Sequence, residues 1–333
     1  MFIKSLRDYG SIGIIFLMYA IFASTLTIGK KALVYGPVVT YIGLRMFITG
    51  ILFLGYYAYS TRYTRSAWAI KKQDLGEFAL VACIGIGVSY LCAFWSLQYL
   101  TVAKTAFLFV LTPFFTAVIG WVYGVERISK KKCIGLIVGA FGMLPMLLSC
   151  QSWDELMYKE LFCWDVPLVL AFISVFCYAY SWVIFKKLLV KNYNENYING
   201  LSMFVGGLSI LGAAFFLDGW FSYFSKKFTK SVVSCELSIL NSPLNSPVTD
   251  WCSYLQYLVL IIVIGSFCFW IYARVLKKYS ATLIAFFGFT EPFFAAIFAK
   301  IFLQESLSLM FFVSLFLVSI GLYIFYQDEL IIT

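Results

Sequence analysis

The chain reads TPFFTAVIGWVYGVE over residues 112–126 and EPFFAAIFAKIFLQE over residues 291–305. Pro113 and Pro292 lie 179 positions apart. At that offset Ala106 aligns with Ala285, Phe107 with Phe286, Phe114 and Phe115 with Phe293 and Phe294, and Ala117 with Ala296. The register continues through Glu126 with Glu305, Ser129 with Ser308 and Gly142 with Gly321. A match held without gaps over about 35 residues marks an internal repeat, so the chain is two copies of one unit. Upstream, Lys30-Lys31 matches Lys186-Lys187 at an offset of 156, and Gly43-Leu44-Arg45-Met46-Phe47 matches Gly200-Leu201-Ser202-Met203-Phe204 at 157. The offset therefore grows by about 22 residues between the two regions, which requires an insertion in the second copy. The long segment 218–252, with Asn241-Ser242-Pro243 and Asn245-Ser246-Pro247 as turn signals, is where it fits.

The solvent of this unit follows from composition. The chain is 62% hydrophobic and 12% charged, whereas soluble domains carry about 25% charged residues. A bilayer is the expected surrounding, and a spanning helix needs about 20 mostly apolar residues. Ten segments qualify, near 11–33, 38–59, 77–97, 102–123, 133–149, 165–185, 197–217, 253–275, 281–303 and 308–326. The expected fold is an all-α membrane protein of ten transmembrane helices. The repeats cover 1–150 and 151–333, the second with the longer loop at 218–252. Residues 1–8 run directly into the first apolar segment without a small-residue cleavage site, which reads as a first span rather than a signal peptide.

Orientation comes from Lys and Arg. Sixteen of the 25 fall on the side of the N-terminus and eight on the other, with Arg45 inside a span, so both termini are expected in the cytoplasm. The net charge of +9 is thereby a matter of topology, and no nucleic-acid partner is expected. Five spans per unit is an odd number, so the second copy must cross in the opposite sense. Inverted repeats of this kind build many secondary transporters, with the substrate near the midplane at the repeat interface.

Chemistry narrows the class further. The chain has no His, no CxxC spacing and no GxxxxGK[ST] loop, so no metal, no cofactor and no direct use of ATP are expected. No nucleophile has an evident base, so an enzyme is not expected. Cys83, Cys92, Cys177 and Cys268 lie in apolar runs as packing residues. Whether Cys150 pairs with Cys163, or Cys235 with Cys252, stays open.

The doubled segment, with Pro in a small-and-aromatic helix and Glu followed three residues later by Ser, resembles the EamA-type drug/metabolite transporter superfamily. Arg45 after Pro37, and the entries Phe22-Ala23-Ser24 and Tyr178-Ala179-Tyr180, fit the same pattern; Trp is common where this chain has Phe22 and Tyr178. The resemblance implies a 5+5 inverted-repeat bundle in a bacterial inner membrane. It further implies movement of amino acids, metabolites or drugs by alternating access, with the protein a monomer or a homodimer.

Within that frame the polar residues inside spans are the candidates for substrate binding. Arg45 costs at least about 2.5 kcal/mol within a membrane. It either anchors a carboxylate or phosphate in bidentate fashion or bridges helix-end carbonyls. Lys104 either joins it or snorkels to the interface. Glu291 is a candidate cation or proton site, or a polar anchor between helices. Its counterpart is Thr112, and that of Arg45 is Ser202. Pro113 and Pro292 are candidate kink positions facing a common cavity. Glu126 and Glu305 read as structural, at helix–loop junctions. Tyr19, Phe22, Tyr90, Phe94, Trp95, Tyr178, Trp182, Phe267 and Trp270 are candidates for an aromatic lining that attracts cations and stacks on bases.

Together these ask for a small-molecule substrate with an anion, a cation and a flat apolar body: a zwitterionic or cationic amino-acid derivative. S-adenosylmethionine fits, and transporters exchanging it for S-adenosylhomocysteine in host-dependent bacteria resemble this superfamily. An amino-acid or drug exporter of the same fold, and a non-transporting membrane scaffold, are the alternatives.

Overall fold

A chain crossing a bilayer must satisfy its backbone polar groups internally, and a helix does this within one segment. The computed structural model describes residues 2–32, 37–61, 70–97, 108–109, 111–126, 129–149, 166–232, 251–294, 297 and 309–332. Every regular element among them is helical. The first copy supplies α1 (Phe2–Ala32), α2 (Val38–Thr61), α3 (Leu75–Leu80) and α4 (Ser89–Leu97), the last two joined by a π-helical stretch at Val81–Val88. It ends with α5 (Thr112–Val122) and α6 (Lys130–Ser149). The second supplies α7 (Val166–Val190), α8 (Glu195–Val232), α9 (Trp251–Lys278), α10 (Ala281–Phe287) and α11 (Leu309–Ile332). A 3₁₀ turn at Gly288–Thr290 follows α10, and helix resumes over 291–294.

Five described helices are long and apolar enough to cross a membrane: Val38–Thr61, Lys72–Ser96, Val166–Val190, Glu195–Ala214 and Cys252–Lys278. Shorter apolar helices lie at Gly13–Thr25, Thr112–Val122, Ala281–Phe294 and Leu309–Phe325. Large apolar side chains such as Trp121, Phe141, Phe316 and Tyr323 are each about two-thirds exposed, which is a lipid-facing surface for a helical membrane protein.

One boundary differs from the sequence reading. The seventh span was expected to end at Leu217 before a loop from Asp218, but α8 runs on to Val232. Hydropathy falls at Asp218, yet a helix is stopped by backbone chemistry, and the first Pro beyond is Pro243. The connecting segment is therefore 233–250, outside the described residues.

The inversion of the two copies is visible in how equivalent helices meet. A Cβ placed on Gly50 would fall 2.4 Å from the Phe204 nitrogen, and one on Gly207 would fall 2.4 Å from the Phe47 nitrogen. Gly50 and Gly207 are 157 apart, as are Phe47 and Phe204, so these are one contact seen from either copy. Two turns away, Gly43 meets Leu211 and Gly200 meets Leu54. Partner numbers fall along α8 as they rise along α2, so the helices are antiparallel. The Phe47 and Phe204 rings stack at 5.1 Å between centroids. Small residues let two backbones approach closely where no water drives association.

The last helices repeat the arrangement. Gly142 meets Val318, and Gly321 meets Gly139, equivalent at the offset of 179. Between these pairs, α1 packs on α9 and α4 on α7, the first helix of each copy against the third of the other. The Ser89 hydroxyl donates to the Ser174 carbonyl at 3.1 Å. At the mirror position the Cys268 thiol approaches the Met18 carbonyl at 3.9 Å. Two self-complementary antiparallel pairs define a two-fold axis across the helices, the geometry of inverted repeats.

A set of polar contacts ties helices of the two copies together. Glu126 accepts hydrogen bonds from the Ala281 nitrogen, from the Thr282 nitrogen at 3.3 Å and from the Thr282 hydroxyl at 2.5 Å. A carboxylate is thus held at the start of α10, where free N–H groups and the helix dipole favour it. Nearby, the Tyr123 and Tyr180 hydroxyls meet at 2.7 Å, and the Lys186 ammonium donates to the Leu276 and Tyr279 carbonyls. Lys191 pairs with Asp74 at 2.6 Å and Glu77 at 2.7 Å, and Lys187 pairs with Glu77 at 2.8 Å. Burial alone would lower the Lys191 pKa, but its bonds to the two carboxylates hold it above its ordinary value. Glu126→Ala removes the capping contacts to Ala281 and Thr282, leaves the N-cap Ser280 bonded to the Leu283 nitrogen, and is expected to cost about 1–2 kcal/mol. A thermal melt in detergent should show a lowered Tm, with Glu126→Gln intermediate because its amide oxygen still accepts. An unchanged Tm for Glu126→Ala would show that the cap holds nothing.

Candidate functional site

Between the two copies lies a cavity of about 900 Å³, its mouth included. Its walls come from α1 (Tyr19, Phe22, Thr25), α2 (Arg45), α4 (Ser89, Tyr90, Ala93, Phe94) and α7 (Ser174, Tyr178). Phe109, Thr112 of α5, Ala285 of α10, Gly288 and Glu291 close the remainder. The site thus brings together Arg45, Glu291, Tyr19, Phe22, Tyr90, Phe94 and Tyr178 from widely separated parts of the sequence.

Two charges define its chemistry. Arg45 is 3% exposed. Its guanidinium carbon sits 5.9 Å from the Tyr90 ring centroid, within cation–π range. On its other side it lies along Gly265 of α9, where an added Cβ would be 2.9 Å from Nη2, 3.5 Å from Nε and 3.6 Å from Cζ. Among the described residues it makes no ion pair and no hydrogen bond. Glu291 is half-buried at the point where helix resumes after the 3₁₀ turn. It too has no ion pair or hydrogen bond among the described residues. Thr112, its equivalent in the first copy, faces the same cavity with its buried hydroxyl oxygen unpartnered among them. The two copies therefore present one position to one space, a hydroxyl from one and a carboxylate from the other.

The aromatic residues divide by helix face. The Tyr19 hydroxyl donates to the Ile284 carbonyl at 2.7 Å, which ties α1 to α10. Trp182 is buried beside the cavity rather than in its lining, stacked on Tyr272 at 3.7 Å and on Phe269 at 6.1 Å. Phe267 is 45% exposed and stacks on Trp270 at 6.1 Å. Trp270 in turn lies under the Arg274 guanidinium at 4.0 Å. On α9 the inward positions are Gly265, Cys268, Phe269 and Tyr272, so Phe267 and Trp270 fall outside that face and outside the lining. Trp95 is half-buried on α4 and also outside the lining. Lys104 and Glu305 lie outside the described residues, as do Cys150, Cys163 and Cys235.

Pro113 stands in the first turn of α5, and Pro292 is the second residue where helix resumes at 291. For Pro113 the missing N–H removes no intrahelical bond, whereas Pro292 lies inside the apolar helix Ala281–Phe294, directly after its 3₁₀ turn. Sequence reasoning passed over Ser89, Ser174, Thr25 and Gly265. Small polar residues inside apolar spans were the available signal for the first three. For Gly265 there was none beyond the absence of a side chain.

A membrane bundle of two inverted copies around a central cavity, with uncompensated charges and aromatic walls, has the build of a secondary transporter. The chain belongs to the EamA-like transporter family, whose model matches residues 10–148 and again 166–327. Among its relatives is the "S-adenosylmethionine/S-adenosylhomocysteine transporter" of Chlamydia muridarum (strain MoPn / Nigg), 24% identical over 301 residues, 89% of this chain and 85% of that one. Its counterpart in Chlamydia trachomatis serovar L2 is also 24% identical, covering 83% of that protein. The "Uncharacterized transporter YetK" of Bacillus subtilis (strain 168) is 24% identical over 92% of this chain and 83% of its own. A solved crystal structure covers 96% of this chain and 98% of its own with a TM-score of 0.67 at 12% identity, a likeness of fold.

Proposed function

We propose that the protein takes up S-adenosylmethionine in exchange for S-adenosylhomocysteine across a bacterial inner membrane by alternating access. The observation that carries this reading is one cavity holding a buried Arg45 and a Glu291, both unpaired among the described residues, beside aromatic rings. Arg45 receives the carboxylate, Glu291 faces the ammonium and sulfonium, and the adenine stacks among Phe22, Tyr90, Phe94 and Tyr178. The relatives named for this pair of ligands support it.

With the termini in the cytoplasm, the end bearing Glu126, Lys186 and Lys191 is the cytoplasmic one. S-adenosylmethionine carries one more positive charge than S-adenosylhomocysteine, so each exchange moves one charge inward. An inside-negative potential favours uptake by about 2.3 kcal/mol per 100 mV. Ligand-induced stabilisation of the purified protein tests the reading: both adenosyl ligands at millimolar concentration should raise the Tm, and adenosine or methionine alone should raise it less. No stabilisation by either adenosyl ligand would remove the named substrate.

A further inference from the structure

The two places where the copies depart from each other around Arg45 are matched. Arg45 stands where the second copy has Ser202. Gly265 stands, at the offset of 179, where the first copy has Ile86. The offset holds here because the Ser89–Ser174 and Cys268–Met18 contacts map onto one another. One copy therefore sets a large cationic side chain against a glycine, and the other sets a serine against a large apolar one. In the second arrangement Ile86 packs against α8, its Cβ 2.6 Å from where a Cβ on Gly206 would stand, one turn from the buried Ser202. Of these four residues Arg45 is the one that lines the cavity.

We propose that Gly265 determines specificity: its missing side chain seats the Arg45 guanidinium along the α9 backbone, and that seat fixes where a substrate carboxylate docks. This rests on the reading of Arg45 as the carboxylate anchor. Nη2, Nε and Cζ would lie 2.9, 3.5 and 3.6 Å from a Cβ at Gly265, so the group runs alongside this residue rather than pointing end-on at it. The three atoms nearest to a methyl there all belong to the end of a flexible side chain, so the guanidinium moves away from α9 and the helices stay. That differs from Gly50, where a Cβ would meet the Phe204 backbone. A planar fork gains its strength from alignment with a planar carboxylate, and a displacement near 1 Å is enough to lose it.

The test compares Gly265→Ala with wild type on S-adenosylmethionine and on its decarboxylated analogue, in proteoliposomes. The expected result is a KM for S-adenosylmethionine raised about tenfold with the analogue changed less than about twofold. In an Arg45→Ala background Gly265→Ala should add nothing, since the group it displaces is gone. Equal losses on both substrates, or a full further loss in the Arg45→Ala background, would overturn the proposal. A second measurement is independent of substrate: the rate at which phenylglyoxal modifies Arg45, followed by mass spectrometry. Gly265→Ala should raise that rate several-fold as the group leaves its seat, and an unchanged rate overturns the seat. Wild-type protein that carries neither substrate would sink the substrate reading, while the labelling rate would still decide the role of Gly265.

Discussion

Arg45→Ala is expected to lower kcat/KM for S-adenosylmethionine by about 10- to 100-fold, the loss of one charge-assisted contact worth about 1.5–3 kcal/mol. The argument turns on what the guanidinium lacks. It is 3% exposed, and among the described residues its close neighbours are the Tyr90 ring and the Gly265 backbone. A charge within a membrane span costs at least about 2.5 kcal/mol, and a desolvated cation–π contact offsets about 2 kcal/mol or more. The two are of similar size, so the group adds little to the stability of the empty protein, and a ligand carboxylate would supply the missing partner. It follows that Arg45→Ala should leave the Tm unchanged or raise it while lowering kcat/KM by that factor. A helix-bridging arginine would give the opposite pattern, a lowered Tm with activity lost in proportion to the unfolded fraction. Measuring both on one preparation separates the two roles that the sequence alone left open.

Glu291→Gln should change selectivity more than it changes fold. Gln keeps the shape and loses the charge. S-adenosylmethionine presents two cationic centres and S-adenosylhomocysteine one, so the neutral variant should lose about tenfold in affinity for the first and less for the second. Competition by each unlabelled ligand against labelled uptake reads the ratio directly. A ratio unchanged from wild type would mean that Glu291 does not face the cationic part of the ligand. The other copy offers a control, because Thr112 faces the same cavity without a charge. Thr112→Val should alter the ratio little.

Much of this was legible in the sequence because duplication and hydropathy are long-range signals. The Pro-Phe-Phe register fixed two copies. The odd number of spans in each then required the inversion now visible in the Gly50–Phe204 and Gly207–Phe47 contacts. Arg45, Glu291, Tyr19, Phe22, Tyr90, Phe94 and Tyr178 stood out as charges or aromatics inside apolar runs, and these seven all reach the cavity wall. What periodicity could not convey was facing. A helix with lipid on one side and a packed core on the other is apolar all round. Nothing in the α9 sequence therefore separated Phe269 and Tyr272, turned inward, from Phe267, half-exposed, and Trp270, half-buried at the edge of the core. Helix ends were equally obscure, because hydropathy marks the membrane and not the helix, as α8 shows by continuing to Val232.

The central claim is that the two inverted copies enclose one site that carries S-adenosylmethionine one way and S-adenosylhomocysteine the other. Counterflow in proteoliposomes of purified protein tests it most directly. Vesicles loaded with S-adenosylhomocysteine should accumulate labelled S-adenosylmethionine transiently above the level reached by unloaded vesicles, and Arg45→Ala vesicles should not. Equal uptake by loaded and unloaded wild-type vesicles would contradict exchange, and uptake by neither would contradict the substrate.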